Sequence, residues 1–190
     1  MKLKDEEKRI RIKNETINII FVKGFAGVKM AELAKKVGIS PSTLYVYYKN
    51  KEDLIVSICS ELIQEQMTIS KENFKEEFSL ELKLKSLWMQ WIHFGVNNHK
   101  EMSFLTQVKQ SPYYQKVPQN IRDDKMKFGI NLIETGKKEQ ILKNYETEII
   151  LGIIDALLKQ TIFFITSKQL KLNEKDVNMM FNITWNAIKH

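Results

Sequence analysis

The sequence contains one cysteine, three prolines and seven glycines among its 190 residues. A single cysteine cannot form an intramolecular disulfide, which suits a reducing compartment, and we expect Cys59 to be a buried small hydrophobe. Few helix breakers and no strand-length alternation of apolar and polar residues favour an all-α fold. Disulfide-stapled and β-rich classes are therefore excluded.

Targeting signals are also missing from the sequence. The N-terminal residues are charged throughout and lack the apolar core of a signal peptide. The most apolar stretch, Ile149 to Ile165, is interrupted by Asp155 and Lys159, which disfavours a membrane span. We therefore expect a soluble intracellular protein with no membrane partner.

Catalytic and metal-binding patterns are absent as well. His93 and His99 are six residues apart, which places them on different sides of a helix and prevents them from sharing a metal ion. The loop from Gly24 to Gly27 lacks the lysine and hydroxyl of a phosphate cradle, and no zinc or dinucleotide signature occurs. The sequence predicts no enzyme, no metal site and no cofactor.

Positive charge is concentrated at one end of the chain. Residues 1–55 contain 12 Lys or Arg against 7 Asp or Glu, a net of +5, whereas residues 56–190 contain 18 against 16, a net of +2. Such asymmetry indicates an anionic partner for the basic end, and nucleic acid fits better than a lipid surface because no basic amphipathic helix with a wide apolar stripe occurs there. A solvated lysine-rich surface is the alternative.

Two short helices joined by a tight turn are predicted between residues 33 and 51. Leu33 and Val37 lie on one helical face, and Gly38 permits the positive φ that ends a helix. Ser40 is a good N-cap and Pro41 suits the first helical position, so a second helix should start there. This spacing is typical of a helix-turn-helix.

The second helix has an inner face and an outer face. Leu44 and Tyr48 should face inward. The outward set carries hydroxyls and phenols followed by lysines: Ser42, Thr43, Tyr45, Tyr47, Lys49 and Lys51. Such groups bind phosphates and base edges in a major groove. A plain surface helical hairpin would show the same pattern.

A longer string of motifs gives these residues a context. It comprises Ile12, Thr16, Ile19, Ile20, Lys23-Gly24-Phe25, Met30, Leu33-Ala34, Gly38-Ile39-Ser40, Thr43-Leu44-Tyr45, Tyr47-Tyr48, Lys51-Glu52 and Leu54. Over about residues 10 to 55 the chain resembles the TetR family of bacterial transcriptional repressors. The resemblance implies a three-helix DNA-binding head, with helices near residues 5–23, 28–37 and 41–48, whose third helix enters the major groove.

The resemblance also implies which residues contact DNA. Ser42, Thr43 and Tyr45 would face the groove, and Tyr47 and Lys51 would touch phosphates. Lys29 and Ser40, at the starts of the second and third helices, complete the predicted set. Family members commonly open the second helix with two hydroxyl residues, where this chain has Val28 and Lys29. This departure puts the usual hydroxyl cap and phosphate contact in doubt, and a charge-assisted contact from Lys29 would replace the phosphate contact.

Helical periodicity continues to the end of the chain. We predict helices near 52–70, 79–97, 101–110, 118–136, 145–167 and 173–189, with Gly136 as a C-terminal cap, which makes nine in all. The predicted domains are a helix-turn-helix domain at 1–51 and an effector-binding and dimerisation domain at 52–190.

The last two predicted helices are candidates for a dimer contact. One is apolar around its whole circumference and the other carries a single apolar stripe, so both need burial. The candidate interface residues are Gly152, Ala156, Phe163, Val177, Phe181 and Trp185. Ordinary intrachain core is the alternative, whereas the family resemblance implies a homodimer built on a four-helix bundle.

The region between head and dimer surface could hold a small molecule. The candidate pocket residues are Trp88, Trp91, Ile92, Phe104, Val108, Phe128 and Asp155. Core packing is the stronger explanation for each of these residues taken singly, and an ion pair with Lys159 is the favoured role of Asp155. Aromatic residues and methionines would suit a lipophilic effector.

These expectations lead to one functional hypothesis with one rival. The chain would be a homodimeric, ligand-responsive repressor of the bacterial cytoplasm that binds a pseudo-palindromic operator and is released by a small-molecule effector. The alternative is an effector-independent DNA-binding helical protein that acts through protein partners. An activator role also remains open.

Overall fold

The structure, a computed structural model, describes residues 2–72 and 74–190, apart from the side chains of residues 2–4, 72 and 125. Within these residues the chain forms nine α-helices: α1 (Lys2–Lys23), α2 (Met30–Val37), α3 (Pro41–Tyr47), α4 (Lys51–Glu72), α5 (Leu80–Asn97), α6 (His99–Lys109), α7 (Gln119–Lys138), α8 (Thr147–Thr166) and α9 (Glu174–Ile188). Short 3₁₀ segments occupy Phe25–Gly27 and Pro112–Lys116. The all-α prediction is confirmed.

The predicted cap at Gly136 is wrong. This residue is helical and buried inside α7, where a Cβ atom would collide with the side chains of Leu80 and Leu142. The chain turns four residues later, where Gln140 adopts a φ of 57° and the amide of Ile141 donates to the carbonyl of Gly136 at 2.9 Å. Close packing, and not a left-handed backbone, is what this glycine provides.

The chain divides into two compact units. The first unit contains the residues up to Gln64 together with His99–Ile121, and the second contains Glu65–Asn98 and Arg122–His190. The sequence placed a functional boundary after residue 51, whereas compactness groups α6 and the following 3₁₀ segment with the DNA-binding head.

The core of the first unit joins α1, α2, α3, the start of α4 and α6. Its fully buried side chains include Ile12, Ile20, Leu33, Leu44, Leu54, Ile55, Ile58, Phe104 and Val108. At the end of α1, the Phe21 ring meets His99 edge-on with centroids 5.5 Å apart, and Lys100 donates to the side chain of Asn18 at 2.8 Å. The Phe25 ring also contacts Tyr113, at 5.0 Å. These contacts attach α6 and Tyr113 to α1 and its following turn.

The second unit is built on α5, α8 and α9. Gly95 allows α5 to approach Ile162 of α8, and the ring of Trp88 packs edge-on against Phe181 of α9. The end of α9 is held by backbone hydrogen bonds, such as that from the amide of Lys143 to the carbonyl of Ile188 at 2.9 Å. The result is an apolar interior shared by three helices.

Candidate nucleic-acid interface

The turn between α2 and α3 has the geometry that the sequence predicts. Gly38 adopts φ 75° and ψ 37°, a left-handed conformation that a side chain would strain. The amide of Ile39 then donates to the carbonyl of Ala34 at 3.0 Å, which closes α2. Ser40 caps α3 by accepting from the amide of Thr43 at 3.1 Å, and Pro41 takes the first helical position.

Helix α3 presents one face to the core and one to solvent. Leu44 is fully buried and Tyr48 nearly so, which anchors the helix in the first unit. Ser42 and Tyr45 are exposed on the opposite side, and 52% of Tyr45 is accessible. The predicted inward positions of Leu44 and Tyr48 and the outward positions of Ser42 and Tyr45 are therefore confirmed, whereas Thr43 and Tyr47 are half-buried. Contact of these residues with DNA stays a prediction.

One outward residue of α3 was not among the sequence candidates. Val46 is 83% exposed, the highest fraction among the exposed large apolar side chains that the structure describes. It lies four residues after Ser42 and next to Tyr45 on the solvent face. An exposed apolar side chain beside a major groove can contact the methyl group of thymine. A lone valine carries no sequence signal for such a role, so only its exposure indicates it.

The hydroxyls at the start of α3 are held in a small cluster. The Oγ of Ser40 lies 2.8 Å from the Oγ of Ser42 and 2.8 Å from the Oγ1 of Thr43. Ser40 thus acts mainly as a cap, while the other two hydroxyls are fixed at the helix N-terminus. An N-terminus with oriented hydroxyls and amides favours an anion such as a DNA phosphate.

The start of α2 shows what replaces the usual hydroxyl pair. Val28 is buried in the core, and Lys29 occupies the N-cap position without a capping hydrogen bond from its side chain. The ammonium group of Lys29 instead pairs with Glu32 at 3.0 Å, in a largely exposed contact that contributes little to stability. The ammonium group of Lys29 is therefore exposed, and it could leave Glu32 to pair with a phosphate at little cost in stability.

The backbone between α3 and α4 is held by side chains at the start of α4. The side chain of Asn50 accepts from the amide of Asp53 at 2.9 Å, and Asp53 accepts from the amide of Lys49 at 2.8 Å. This reciprocal cap satisfies two free amides at the helix start and determines where the chain leaves α3. Lys51 follows as the half-buried first residue of α4.

Tyr47, the predicted phosphate contact at the end of α3, has partners on α1. Its hydroxyl donates to Oδ1 of Asp5 at 2.8 Å, and the guanidinium of Arg9 lies 5.5 Å from its ring centroid. The hydrogen bond to the Asp5 carboxylate raises the pKa of Tyr47 above its ordinary value. The neighbouring Tyr48 also has a raised pKa, because burial disfavours its ionised form.

The candidate effector residues fall into different parts of the chain. Phe104 and Val108 are fully buried in the core of the first unit. The second unit holds the other five: Trp88, Trp91, Ile92, Phe128 and Asp155. Trp88 and Ile92 are buried there, and the ring of Phe128 meets Phe74 at 5.4 Å.

Asp155 takes the role that the sequence favoured. Its carboxylate pairs with the ammonium of Lys159 at 2.7 Å, one turn later on α8. Both side chains are partly exposed, so the pair needs no ligand to compensate its charge. The part of the chain that the structure describes also contains no group of three or more His, Cys, Asp or Glu residues arranged to hold a metal ion.

The candidate dimer residues separate into two groups. Gly152, Ala156 and Phe163 lie exposed on α8. Val177, Phe181 and Trp185 are buried inside their own unit, so they are intrachain core and cannot form a surface. The exposed apolar residues of α9 are instead Met179 and Ile183. One face of each helix packs inward, and only the other is free to meet a partner.

Known proteins resemble this chain in the helix-turn-helix and over most of its length. Residues 14–58 match the family described as "Bacterial regulatory proteins, tetR family". The chain is 24% identical over 156 residues to the fatty acid metabolism regulator protein of Bacillus subtilis (strain 168), covering 82% of this chain and 78% of that protein.

Solved structures share the whole fold. A TetR family transcription regulator from Marinobacter aquaeolei VT8 has a TM-score of 0.87 at 19% identity, covering 100% of this chain and 99% of that one. The transcriptional regulator FadR of Bacillus subtilis, solved in complex with stearoyl-CoA, has a TM-score of 0.72 at 19% identity, covering 93% of this chain and 95% of that one. At these identities the likeness establishes the fold alone.

Proposed function

Because the chain belongs to the TetR family of bacterial regulatory proteins, we propose that it is a cytoplasmic homodimeric repressor released from its operator by a lipophilic small molecule. The observation that carries the proposal is the helix-turn-helix itself. Its left-handed turn, capped third helix and buried anchors present the outward face of α3 to solvent. That arrangement serves to insert a helix into a major groove.

The residues of α3 divide the work of DNA recognition. Ser42, Tyr45 and Val46 would meet base edges, since they project from the exposed face, and Thr43 would assist them at the helix start. Tyr47, Lys51 and Lys29 would bind phosphates and hold the helix in register. The net charge of +5 over residues 1–55 supplies the salt-sensitive attraction to the duplex.

Homodimer formation is supported by the outer face of α8. Ile149 and Phe163 are 55% and 54% exposed, and Gly152 and Ala156 lie between them on the same side. Apart from its chain neighbours and the adjacent backbone of α8 itself, no described atom lies within 4 Å of a Cβ built on Gly152, so another helix can approach closely here. Together with Met179 and Ile183 of α9, these residues form what we call the α8–α9 face. An apolar face of this extent needs cover.

A second copy of the chain is a better cover than lipid. By length and composition, α8 could cross a membrane, and few of its residues are buried inside the chain. The ion pair between Asp155 and Lys159 lies at its centre, however, where a hydrocarbon environment would be costly. A twofold dimer would also present two α3 helices to half-sites about one helical turn apart.

A fatty acyl-CoA is the proposed class of effector. The fatty acid metabolism regulator protein of Bacillus subtilis and the FadR structure that contains stearoyl-CoA are similar to this chain along most of its length. Within the described residues, the buried indole N–H of Trp88 and the buried Oδ1 of Asn178 have no hydrogen-bond partners. Leaving such groups unpaired costs about 1–3 kcal/mol each, and polar atoms of a ligand inside the second unit would supply partners.

Release would follow from a difference in effector affinity between two conformations. An effector that favours the conformation whose α3 helices no longer match the half-sites weakens DNA binding by that difference, typically about 1–3 kcal/mol. The interior shared by α5, α8 and α9 is the proposed place where that difference arises.

The proposal is tested by selecting genomic fragments with the purified protein and titrating the recovered duplex with stearoyl-CoA. Free CoA and stearate are the controls. Recovery of a pseudo-palindromic site, with release by the acyl-CoA but not by free CoA, would support the proposal. Binding that no acyl-CoA changes would overturn the effector class and favour the effector-independent alternative, whereas failure to bind any duplex would overturn the function.

The same titration with a Trp88→Phe variant tests whether the indole N–H of Trp88 contacts the effector. The variant keeps an aromatic ring against Phe181 but lacks the indole N–H. We expect unchanged DNA affinity and a weaker response to stearoyl-CoA. An unchanged response would remove Trp88 from the effector site.

A further inference from the structure

The hydroxyl of Tyr47 is already engaged by an anion of the same chain. It donates to Oδ1 of Asp5 across 2.8 Å, from the end of the recognition helix α3 to the first turns of α1. A phenol has one O–H to donate, and a carboxylate and a phosphate both accept it in the same way. Asp5 therefore occupies the hydrogen-bonding position that a DNA phosphate would take.

The residues around this bond are charged and accessible. Lys8 lies 3.7 Å from Oδ1 of Asp5, and the guanidinium of Arg9 stacks on the ring of Tyr47. About half of the Asp5 side chain remains exposed to solvent. The Asp5 carboxylate thus meets a phenol and one cation at the surface, and a second cation lies over the phenol ring. Cations and hydroxyl donors are the groups that proteins use to hold a phosphate.

This arrangement follows from the helical period of α1. Asp5 and Arg9 are one turn apart, and Ile12 continues the same side of the helix into the core. The inward face of α1 therefore extends beyond the core as a polar edge beside α3. Burial of Ile12 fixes the rotation of α1 and so places Asp5 against Tyr47.

We infer that Asp5 is an internal competitor for the backbone phosphate that Tyr47 and Arg9 bind, so that DNA must displace this carboxylate before the contact forms. The inference rests on the proposed DNA binding by α3. On displacement, the hydrogen bond of the Tyr47 O–H passes from the carboxylate to a phosphate oxygen, and the guanidinium of Arg9, which lies over the Tyr47 ring, pairs with the same phosphate. Asp5 would also repel the arriving phosphate.

The opposite role for Asp5 predicts the opposite sign. If the carboxylate held Tyr47 in the orientation that DNA requires, removing it would weaken binding. If Asp5 acted only through its charge, any nearby carboxylate would have the same effect. Both possibilities can be separated from competition by matched variants.

The test measures binding of the full-length protein to a random-sequence duplex at low salt, because a phosphate contact does not depend on base sequence. The variants are Asp5→Ala, Glu6→Ala as a control that removes an exposed carboxylate from the next position of α1, and both changes in a Tyr47→Phe background. Circular dichroism checks that each variant is folded.

Competition predicts that Asp5→Ala tightens binding by roughly three- to tenfold, the range of one net hydrogen bond, and more than Glu6→Ala does. The excess should vanish in the Tyr47→Phe background, which has no hydroxyl to release. Equal effects of the two alanine variants, a weaker Asp5→Ala protein, or an excess that survives in Tyr47→Phe would each overturn the inference. A wild-type protein that binds no duplex would overturn the proposed function, and the inference with it.

Discussion

Three tyrosines within four residues of the chain serve three different purposes. Tyr45 is half exposed, Tyr47 is hydrogen-bonded to Asp5, and Tyr48 is buried in the core as Leu44 is. Tyr45 and Tyr48 are three residues apart, so a continuous helix would place them on the same side. Tyr48 instead follows the last residue of α3 in an extended conformation, with φ −141° and ψ 120°, and its side chain is buried. At the scale of single residues, the exposed surface of α3 is thus defined by backbone conformation and not by residue type.

Replacing Tyr45 with alanine should reduce operator affinity by about 1–3 kcal/mol and relax the preference for the bound sequence, because a groove contact is lost. Titration of the selected operator and of a random duplex would measure both effects. Tyr145→Ala is the matched control, since that tyrosine is 53% exposed but lies outside the head. Unchanged operator affinity in Tyr45→Ala would contradict the groove assignment.

Periodicity predicted that Tyr47 faces outward, whereas Tyr47 is half-buried. Periodicity placed Tyr45 on the exposed side and Leu44 and Tyr48 on the buried side correctly. It could not predict the bond between Tyr47 and Asp5, because the partners are 42 residues apart and no local pattern links them. Val46 was missed for another reason: an exposed valine has no chemical signal in the sequence, and only its exposure in the fold distinguishes it.

At the scale of elements, the corner between α7 and α8 is held by a polar cluster. Glu134 accepts hydrogen bonds from the hydroxyl of Thr147 and, at 3.1 Å, from the ammonium of Lys137. Lys137 also reaches Thr147, at 3.1 Å. The hydrogen bond from Thr147, more than that from Lys137, lowers the pKa of Glu134 below its ordinary value.

A lowered pKa in the folded state makes this cluster stabilising above the ordinary glutamate pKa, and the contribution is lost as the pH falls through the folded-state value. Glu134→Gln should therefore be less stable than the wild type at neutral pH, and the difference should shrink on acidification. Urea unfolding of the variant and the wild type, at neutral pH and at a pH below the folded-state pKa of Glu134, would measure the difference in stability. Glu139→Gln, at an exposed position beyond α7, should show no such convergence; a pH-independent deficit in Glu134→Gln would contradict the linkage.

Gly136 gives a second prediction at this scale. Alanine there should destabilise the protein by about 1 kcal/mol or more, because overpacking against Leu80 and Leu142 outweighs the gain in helix propensity. Asn131→Ala, at an exposed position of the same helix, should be neutral or stabilising. Urea midpoints at one protein concentration would compare them, and equal stability of the two variants would refute the packing argument.

The helices themselves could be predicted because caps and apolar periods are local. The end of α7 could not, because glycine at a helix end and glycine at a tight contact have the same appearance in sequence. Contact with Leu80, more than fifty residues earlier, decides between them, and that contact belongs to tertiary structure.

At the scale of the whole molecule, the proposed homodimer rests on the α8–α9 face. The single chain buries Val177, Phe181 and Trp185 but leaves Phe163 and Ile183 about half exposed. The sequence could show that these helices are rich in apolar residues. It could not distinguish the inward stripe from the outward one, because both are apolar and the packing partner determines which is which.

Phe163→Glu should shift the protein from dimer to monomer, weakening association at least about tenfold, because a charge would be buried against the partner. Light scattering across a dilution series would report the mass. Tyr145→Glu introduces the same charge at an equally exposed aromatic residue outside the α8–α9 face and should remain dimeric. A wild-type monomer, or a dimeric Phe163→Glu protein, would exclude this face as the interface.

The attachment of α6 to α1 has a practical consequence for engineering. Phe21 packs against His99, Asn18 binds Lys100, and Phe25 contacts Tyr113, so α1 and its following turn pack on a segment that comes much later in the chain. A chimera that joins residues 1–51 to a foreign sensor domain would lack this segment and lose these contacts. Transplanting this specificity requires a graft in two pieces, the second carrying residues 99–121 along with the first.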